Sequence, residues 1–137
     1  MRVIDSSSLI KFFSREEGWE KVAEVMREGV VTLDLAVKEV ANALWRKILS
    51  NEIGYDTAQA IIRDLAEEKA IPLISQDKLL AQALTLAVNE KITVYDALFI
   101  IAAKELKTEL VTSDKKQVEA AVRNSVKSHP YIDCNYS

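Results

Sequence analysis

Apolar residues along the chain follow two rhythms. Short runs of extended character fall at Arg2–Ile4, Val30–Leu33, Ile71–Ile74, Glu109–Thr112 and Tyr131–Asp133. Between them apolar positions recur every three or four residues, the spacing of a helix with one covered face. Val37, Val40, Ala41, Leu44, Trp45 and Ile48 make one such stripe, Ala58, Ile61, Ile62, Leu65 and Ala66 a second, and Leu80, Ala83, Leu84 and Ala87 a third. Strands separated by helices need crossover connections, which predicts an α/β fold: a parallel sheet with helices on both faces. Pro72 has no N–H to donate to a ladder, so the Ile71–Ile74 run belongs at a sheet edge or starts at the proline.

One helical segment breaks the two-faced pattern. Every residue from Ala97 to Ala103 is apolar, which predicts a helix packed on all sides. Its start is well marked. Thr93 is placed to cap it, Asp96 follows three residues later as in a capping box, and Ile92 is placed to staple onto the first turn.

Composition narrows the chemistry. The 137 residues carry no internal repeat, low-complexity tract or Pro/Gly/Ser-rich linker, so residues 1–137 read as a single domain. The apolar runs fall far short of the ~20 residues of a membrane span. Asp5 and Lys11 interrupt the first apolar stretch, so it does not read as a signal peptide, and the expected compartment is the cytoplasm. The single cysteine, Cys134, rules out an intrachain disulfide framework and a thiolate-rich zinc site. Gly18, Gly29 and Gly54 are too far apart for a phosphate-cradling glycine loop. The single histidine, His129, leaves no histidine pair for catalysis. Carboxylates are plentiful: 21 Asp and Glu stand against 18 Lys and Arg, and the net charge of −3 argues against a protein coated in nucleic acid, though not against local phosphate binding.

In a parallel sheet, ligands bind beyond the carboxyl ends of the strands. Asp5 closes the first strand run, Asp114 follows the Leu110–Ser113 run, and Asp96 lies in the first turn of the all-apolar helix. Glu39 sits on the polar face of the Val37–Ile48 helix with Asn42 and Arg46. Taken singly, three of these acids have ordinary explanations. Asp114 can cap the helix that follows, with Gln117 completing a box; Asp96 can belong only to the Thr93 cap; Glu39 can lie on a solvated face. Asp5 is followed by three serines, each able to cap the next helix, so capping does not require it. Gathered in one cleft, the four would repel one another: two carboxylates ~5 Å apart cost roughly 3 kcal/mol at an effective dielectric of about 20. A cation relieves that cost, and an all-oxygen ligand set selects a hard ion, Mg²⁺ or Mn²⁺. Ser7 and Thr112, two residues from Asp5 and Asp114, are placed to orient the carboxylates. Such a site suits phosphodiester hydrolysis without a protein nucleophile. Arg46, Lys11, Lys115, Arg15 and Lys116 are the nearby cations for flanking phosphates, with Arg46 favoured because it shares a helical face with Glu39.

The segments Val3-Ile4-Asp5-Ser6-Ser7-Ser8-Leu9-Ile10, Glu39-Val40-Ala41-Asn42-Ala43-Leu44, Tyr95-Asp96-Ala97-Leu98-Phe99 and Leu110-Val111-Thr112-Ser113-Asp114, in this order, resemble the PIN-domain ribonucleases, in particular VapC-type toxins of toxin–antitoxin pairs. The resemblance implies a three-layer α/β/α sandwich around a five-stranded parallel sheet in the order 3-2-1-4-5. It implies Mg²⁺- or Mn²⁺-dependent endonuclease activity on single-stranded RNA, with Asp5, Glu39, Asp96 and Asp114 as the acidic quartet and Ser7 and Thr112 as polar helpers. It also implies a homodimer and a small antitoxin partner. Ser113 stands where the family commonly has Gly or Arg. Two further readings remain open at this level: a non-toxic PIN nuclease of RNA processing or DNA repair, and a PIN-like module that binds RNA or protein without cutting. The surface bearing Trp45 and Leu49 carries more apolar area than one sheet face needs, which is the residue-level reason to expect a dimer.

Overall fold

A computed structural model describes residues 1–129. The strands are β1 (Arg2–Ile4), β2 (Val30–Leu33), β3 (Leu73–Ile74) and β4 (Leu110–Val111). The helices are α1 (Ser6–Phe13), α2 (Trp19–Arg27), α3 (Asp34–Leu49), α4 (Tyr55–Ala66), α5 (Leu80–Glu90), α6 (Val94–Glu105) and α7 (Lys115–Arg123), with a 3₁₀ turn at Asp77–Leu79 leading into α5. All strand pairs are parallel, in the order β3-β2-β1-β4, so the α/β class holds.

The sheet departs from the five-strand expectation. Among the described residues it has four strands. Beyond β4 there is one isolated parallel bridge, Leu110 to Ser128, made by Leu110 N–H to the Lys127 carbonyl and His129 N–H to the Leu110 carbonyl, 2.8 Å each. The expected strand Tyr131–Asp133 and Cys134 lie outside the described residues. At the other edge β3 starts at Leu73, directly after Pro72, so the proline withholds no ladder donor; its carbonyl still accepts from Thr32 N–H at 3.1 Å.

The strand order explains the layers. From β1 the chain steps to β2 and β3 in one direction, then returns past β1 to β4. Right-handed crossovers along these opposite steps place the intervening helices on opposite faces. The contacts agree: α1 packs on α2 and α3, and α3 on α4, whereas α5 packs on α6 and α6 on α7. In α6, Ala97 through Ala103 are all buried, and the helix touches β1, β2 and β4. Thr93 Oγ1 accepts from Asp96 N–H at 3.1 Å, as its capping spacing predicts.

Helix α5 is turned relative to its expected stripe. Ala83, Leu86 and Ala87 are buried, while Leu80, Leu84 and Val88 are exposed as a second apolar row. The helix therefore has two adjoining apolar rows, and its packing against α6 covers the one with two alanines, which allow close approach. On α3, Val40 and Leu44 are buried while Trp45 and Leu49 are exposed.

Candidate active site

The direction of crossover reverses between β1 and β4, and such a switch point opens a crevice at the strand ends. Asp5 leaves β1 there, and its N–H still donates to the Val111 carbonyl at 3.0 Å. Asp114 leaves the β4 segment beside it and caps α7, accepting from Lys116 N–H at 2.9 Å. Helix α3 brings Glu39 to the crevice and the first turn of α6 brings Asp96. All four carboxylates line one cleft of about 720 Å³.

Hydroxyl groups hold these acids. Asp5 is buried and is the N-cap of α1, accepting from Ser8 N–H at 3.1 Å and from the Ser7 hydroxyl at 2.8 Å. The expectation that the serines make capping by Asp5 unnecessary is thus corrected: they occupy the first turn, and Asp5 caps it. The Ser7 oxygen also accepts from Ser113 N–H at 3.1 Å, which ties the start of α1 to the β4 exit. Thr112 is buried, hydrogen-bonds Asp5 and accepts from Asp114 N–H at 3.1 Å. The Ser6 hydroxyl donates to Glu39 at 2.5 Å, fixing the α3 carboxylate against α1.

The electrostatics report crowding of negative charge. Burial pushes the Asp5 carboxyl up to about 6, against the opposing hydrogen bonds of Thr112, Ser8 and Ser7. Glu39 is raised by burial first, opposed by its bond from Ser6 and raised further by the charge of Asp96. Asp96 is raised by burial and then by the charge of Asp114. Asp114, Asp96 and Glu39 are therefore linked by repulsion along the cleft. Among the described residues no three of the acids are drawn together as a closed metal cage. The arrangement is an open rim of oxygen donors, two of which also serve as helix caps.

A profile of the PIN domain matches residues 2–123. The chain belongs to the PIN-domain family. It is similar to Ribonuclease VapC3 of Pyrobaculum aerophilum, with 32% identity over 120 residues, covering 85% of this chain and 92% of that protein. It is also similar to Exonuclease VapC9 of the same organism, with 27% identity over 114 residues, covering 83% and 80% of the two chains. Among solved structures, the crystal structure of PAE2754 from Pyrobaculum aerophilum superposes with a TM-score of 0.65 at 22% identity, over 90% of this chain and 96% of that one, a likeness of fold.

This PIN domain departs from the sequence expectations in its cations. Arg46 lines the cleft, but Lys11 and Lys115 do not. The Lys11 ammonium lies by Gly18, 3.8 Å from where a Cβ would stand, because α1 carries it towards the α1–α2 turn. The Arg15 guanidinium stacks on Trp19 at 4.1 Å and Phe12 at 4.8 Å and is not a cleft residue. Lys38 lines the cleft instead, one helical turn before Asn42 and two before Arg46. That signal was legible, since Lys38 adjoins Glu39 and precedes Asn42 and Arg46 at four-residue spacing. Tyr95 and Gln76 also line the cleft, and no sequence pattern marked them.

Gln117 has a different role from the expected capping box. It is buried, and its Nε2 donates to the Asp96 carbonyl at 2.7 Å. The first turn of α6 is thus tied to the first turn of α7, which fixes Asp96 relative to Asp114. No helix among the described residues is long and apolar enough to cross a membrane.

Proposed function

We propose that this chain, as a single PIN domain, is a metal-dependent endoribonuclease of single-stranded RNA and the toxin of a toxin–antitoxin pair, acting in the cytoplasm. The observation that carries the reading is the convergence of Asp5, Glu39, Asp96 and Asp114 on one cleft at the β1/β4 switch point. The names of the relatives, a ribonuclease and an exonuclease, support a nuclease, and the first supports RNA as substrate; the antitoxin partner rests on the resemblance to VapC-type toxins. The donors are all oxygen and three of them are held above the ordinary carboxylate range, two of those partly by like charge; this fits Mg²⁺ or Mn²⁺ held by Asp5, Asp96, Asp114 and Glu39. When bound, such an ion supplies charge neutralisation and Lewis-acid polarisation of the phosphodiester.

The chain's own residues do the positioning. Ser7 and Thr112 hold the Asp5 carboxylate, and Ser6 holds Glu39, so neither acid needs to reorganise as substrate arrives. Arg46 and Lys38 supply positive charge on the α3 side of a cleft that is otherwise strongly acidic and would repel RNA. Four acids lining one cleft carry a cost that their hydroxyl contacts offset only in part, which disfavours a purely binding module.

The test is cleavage of a single-stranded RNA with and without a divalent ion. Cutting in Mn²⁺ and its loss in EDTA are expected; equal cutting in both would reject the metal-dependent reading. One relative bears the name exonuclease, so a circular RNA should be included. An endonuclease opens the circle, whereas an exonuclease leaves it intact.

The homodimer is proposed on exposed apolar surface: Trp45 and Leu49 on α3, at 55% and 67% exposure, and Leu84 and Val88 on α5, at 57% and 69%. Light scattering at micromolar concentration should give twice the monomer mass. A Val88→Glu variant should run as a monomer, and a wild-type monomer would remove the proposal.

A further inference from the structure

The cleft has a side that the acid chemistry leaves unexplained. Tyr95 precedes Asp96 in the first turn of α6, so its ring is carried at the lip of the carboxylate cluster. The residue is 58% exposed, although it lies beside a helix whose next seven residues, Ala97 to Ala103 after Asp96, are buried. Among the described residues its hydroxyl makes no hydrogen bond, and no aromatic ring packs on it. An exposed aromatic face with no internal partner, in a cleft where every neighbouring acid repels anions, suits a neutral flat group better than a phosphate.

The α3 side has the complementary character. Lys38, Asn42 and Arg46 recur at four-residue spacing and reach the same cleft, a row about 12 Å long. Neither Lys38 nor Arg46 has an ion-pair partner among the described residues, so both charges are available to an external anion. The α6 side of the cleft therefore offers a π-face and the α3 side a row of phosphate donors, each next to a carboxylate of its own helix, Asp96 and Glu39.

We propose that Tyr95 is a stacking platform for an unpaired RNA base next to the phosphate that is cut, while Lys38, Asn42 and Arg46 grip the backbone. This rests on the nuclease reading above and adds to it the reason for single-strand preference. A base in a duplex is already stacked and paired, and reaches an aromatic side chain only when splayed out. The stacking contact tolerates any base, because every base has a π-face. The phosphate contacts carry no sequence information and set register along the strand.

The experiment walks a single abasic residue through a short RNA that the wild-type protein cuts in Mn²⁺. At one position beside the cut, wild-type KM should rise about tenfold, the scale of losing one base–aromatic stack. Tyr95→Ala should show that rise on the intact RNA and no further rise on the abasic one. Tyr95→Phe and Tyr95→Trp should behave as wild type, because the ring and not the hydroxyl does the work, and they guard against a folding defect in the alanine variant. Arg46→Ala should weaken intact and abasic RNA alike. An equal Tyr95→Ala penalty on intact and abasic RNA at every position would overturn the stacking role and leave the nuclease reading standing; such a result would instead favour a protein partner covering Tyr95. Failure of the wild-type protein to cut any RNA in Mn²⁺ would overturn the nuclease reading, and this proposal with it.

Discussion

Replacing Asp5 or Asp96 by asparagine should lower RNA cleavage in Mn²⁺ about a thousandfold. Each substitution removes one negative oxygen donor from the rim and keeps the side-chain shape. A loss of roughly 4 kcal/mol of transition-state stabilisation, ordinary for disabling a metal-assisted step, corresponds to that factor. The two positions are reached by different elements, Asp5 from β1 and Asp96 from α6, so equal losses would argue for one shared centre. Asp64→Asn, on the exposed part of α4 where Asp64 pairs with Lys69 at 3.6 Å, is the control and should retain activity. Single-turnover assays with purified protein, together with circular dichroism to show an intact fold, make the comparison. Undiminished cutting by either site variant would remove that residue from the reaction.

The Asp5→Asn variant should also be more stable than wild type at pH 7 in chelator. Burial raises the Asp5 carboxyl from 3.8 in the unfolded reference to about 6 in the folded chain. The folded state then holds a proton over a pH range in which the unfolded chain has released it. Stability from this group is complete below the unfolded value and is lost as pH rises through about 6. At pH 7 the wild-type protein carries a buried ionised carboxylate that the amide variant avoids. A rise of that size costs about 2–3 kcal/mol, or ~5–10 °C in Tm. Urea or thermal unfolding from pH 4 to 7 should show the gap between the proteins closing as pH falls. Added Mn²⁺ should reverse the order, because ligand binding stabilises only the protein that holds it. A variant that is less stable than wild type at pH 7 in chelator would contradict the cost assigned to burying Asp5.

These two expectations describe a trade between stability and function. Hydroxyl groups from Ser7 and Thr112 offset part of the cost of burying Asp5 but not all of it, so the carboxyl remains raised. The remaining charge imbalance is what a cation would relieve. Gln117 contributes in another way, by locking the backbone at Asp96 so that mutual repulsion with Asp114 does not push the two helix starts apart.

Much of this was legible along the chain. The alternation of short apolar runs with helical stripes carried the α/β class, and Pro72 marked β3 as an edge strand or one that begins at the proline; β3 lies at the edge and starts directly after it. The all-apolar Ala97–Ala103 segment announced the buried α6, and the Thr93 spacing announced its start. The order of four acids after strands and in first turns pointed to a single crevice, because a parallel sheet sends every strand end to the same side. Other features were not legible. Helix α5 has apolar residues around more than half its circumference, so spacing alone could not say that Ala83 and Ala87 face inward while Leu84 faces out. The three serines after Asp5 are equally suitable caps on spacing alone; the β1–β4 hydrogen bond at the Asp5 N–H settles which residue stands at the cap. Lys11 lies six residues from Asp5, yet α1 carries its ammonium towards Gly18 and away from the cleft.

Local periodicity and side-chain chemistry were enough to mark β1 to β4 as extended, α3, α4 and α5 as helical, α6 as wholly covered, and the carboxylates on offer to a ligand. Which side chains share a cleft depended on packing: Tyr95 enters it, Lys11 leaves it, and Gln117 spans two helix starts. The physical reason is that local spacing sets angles about one helix axis, whereas proximity depends on how several axes cross a twisted sheet, and that is fixed by packing between residues far apart in the chain.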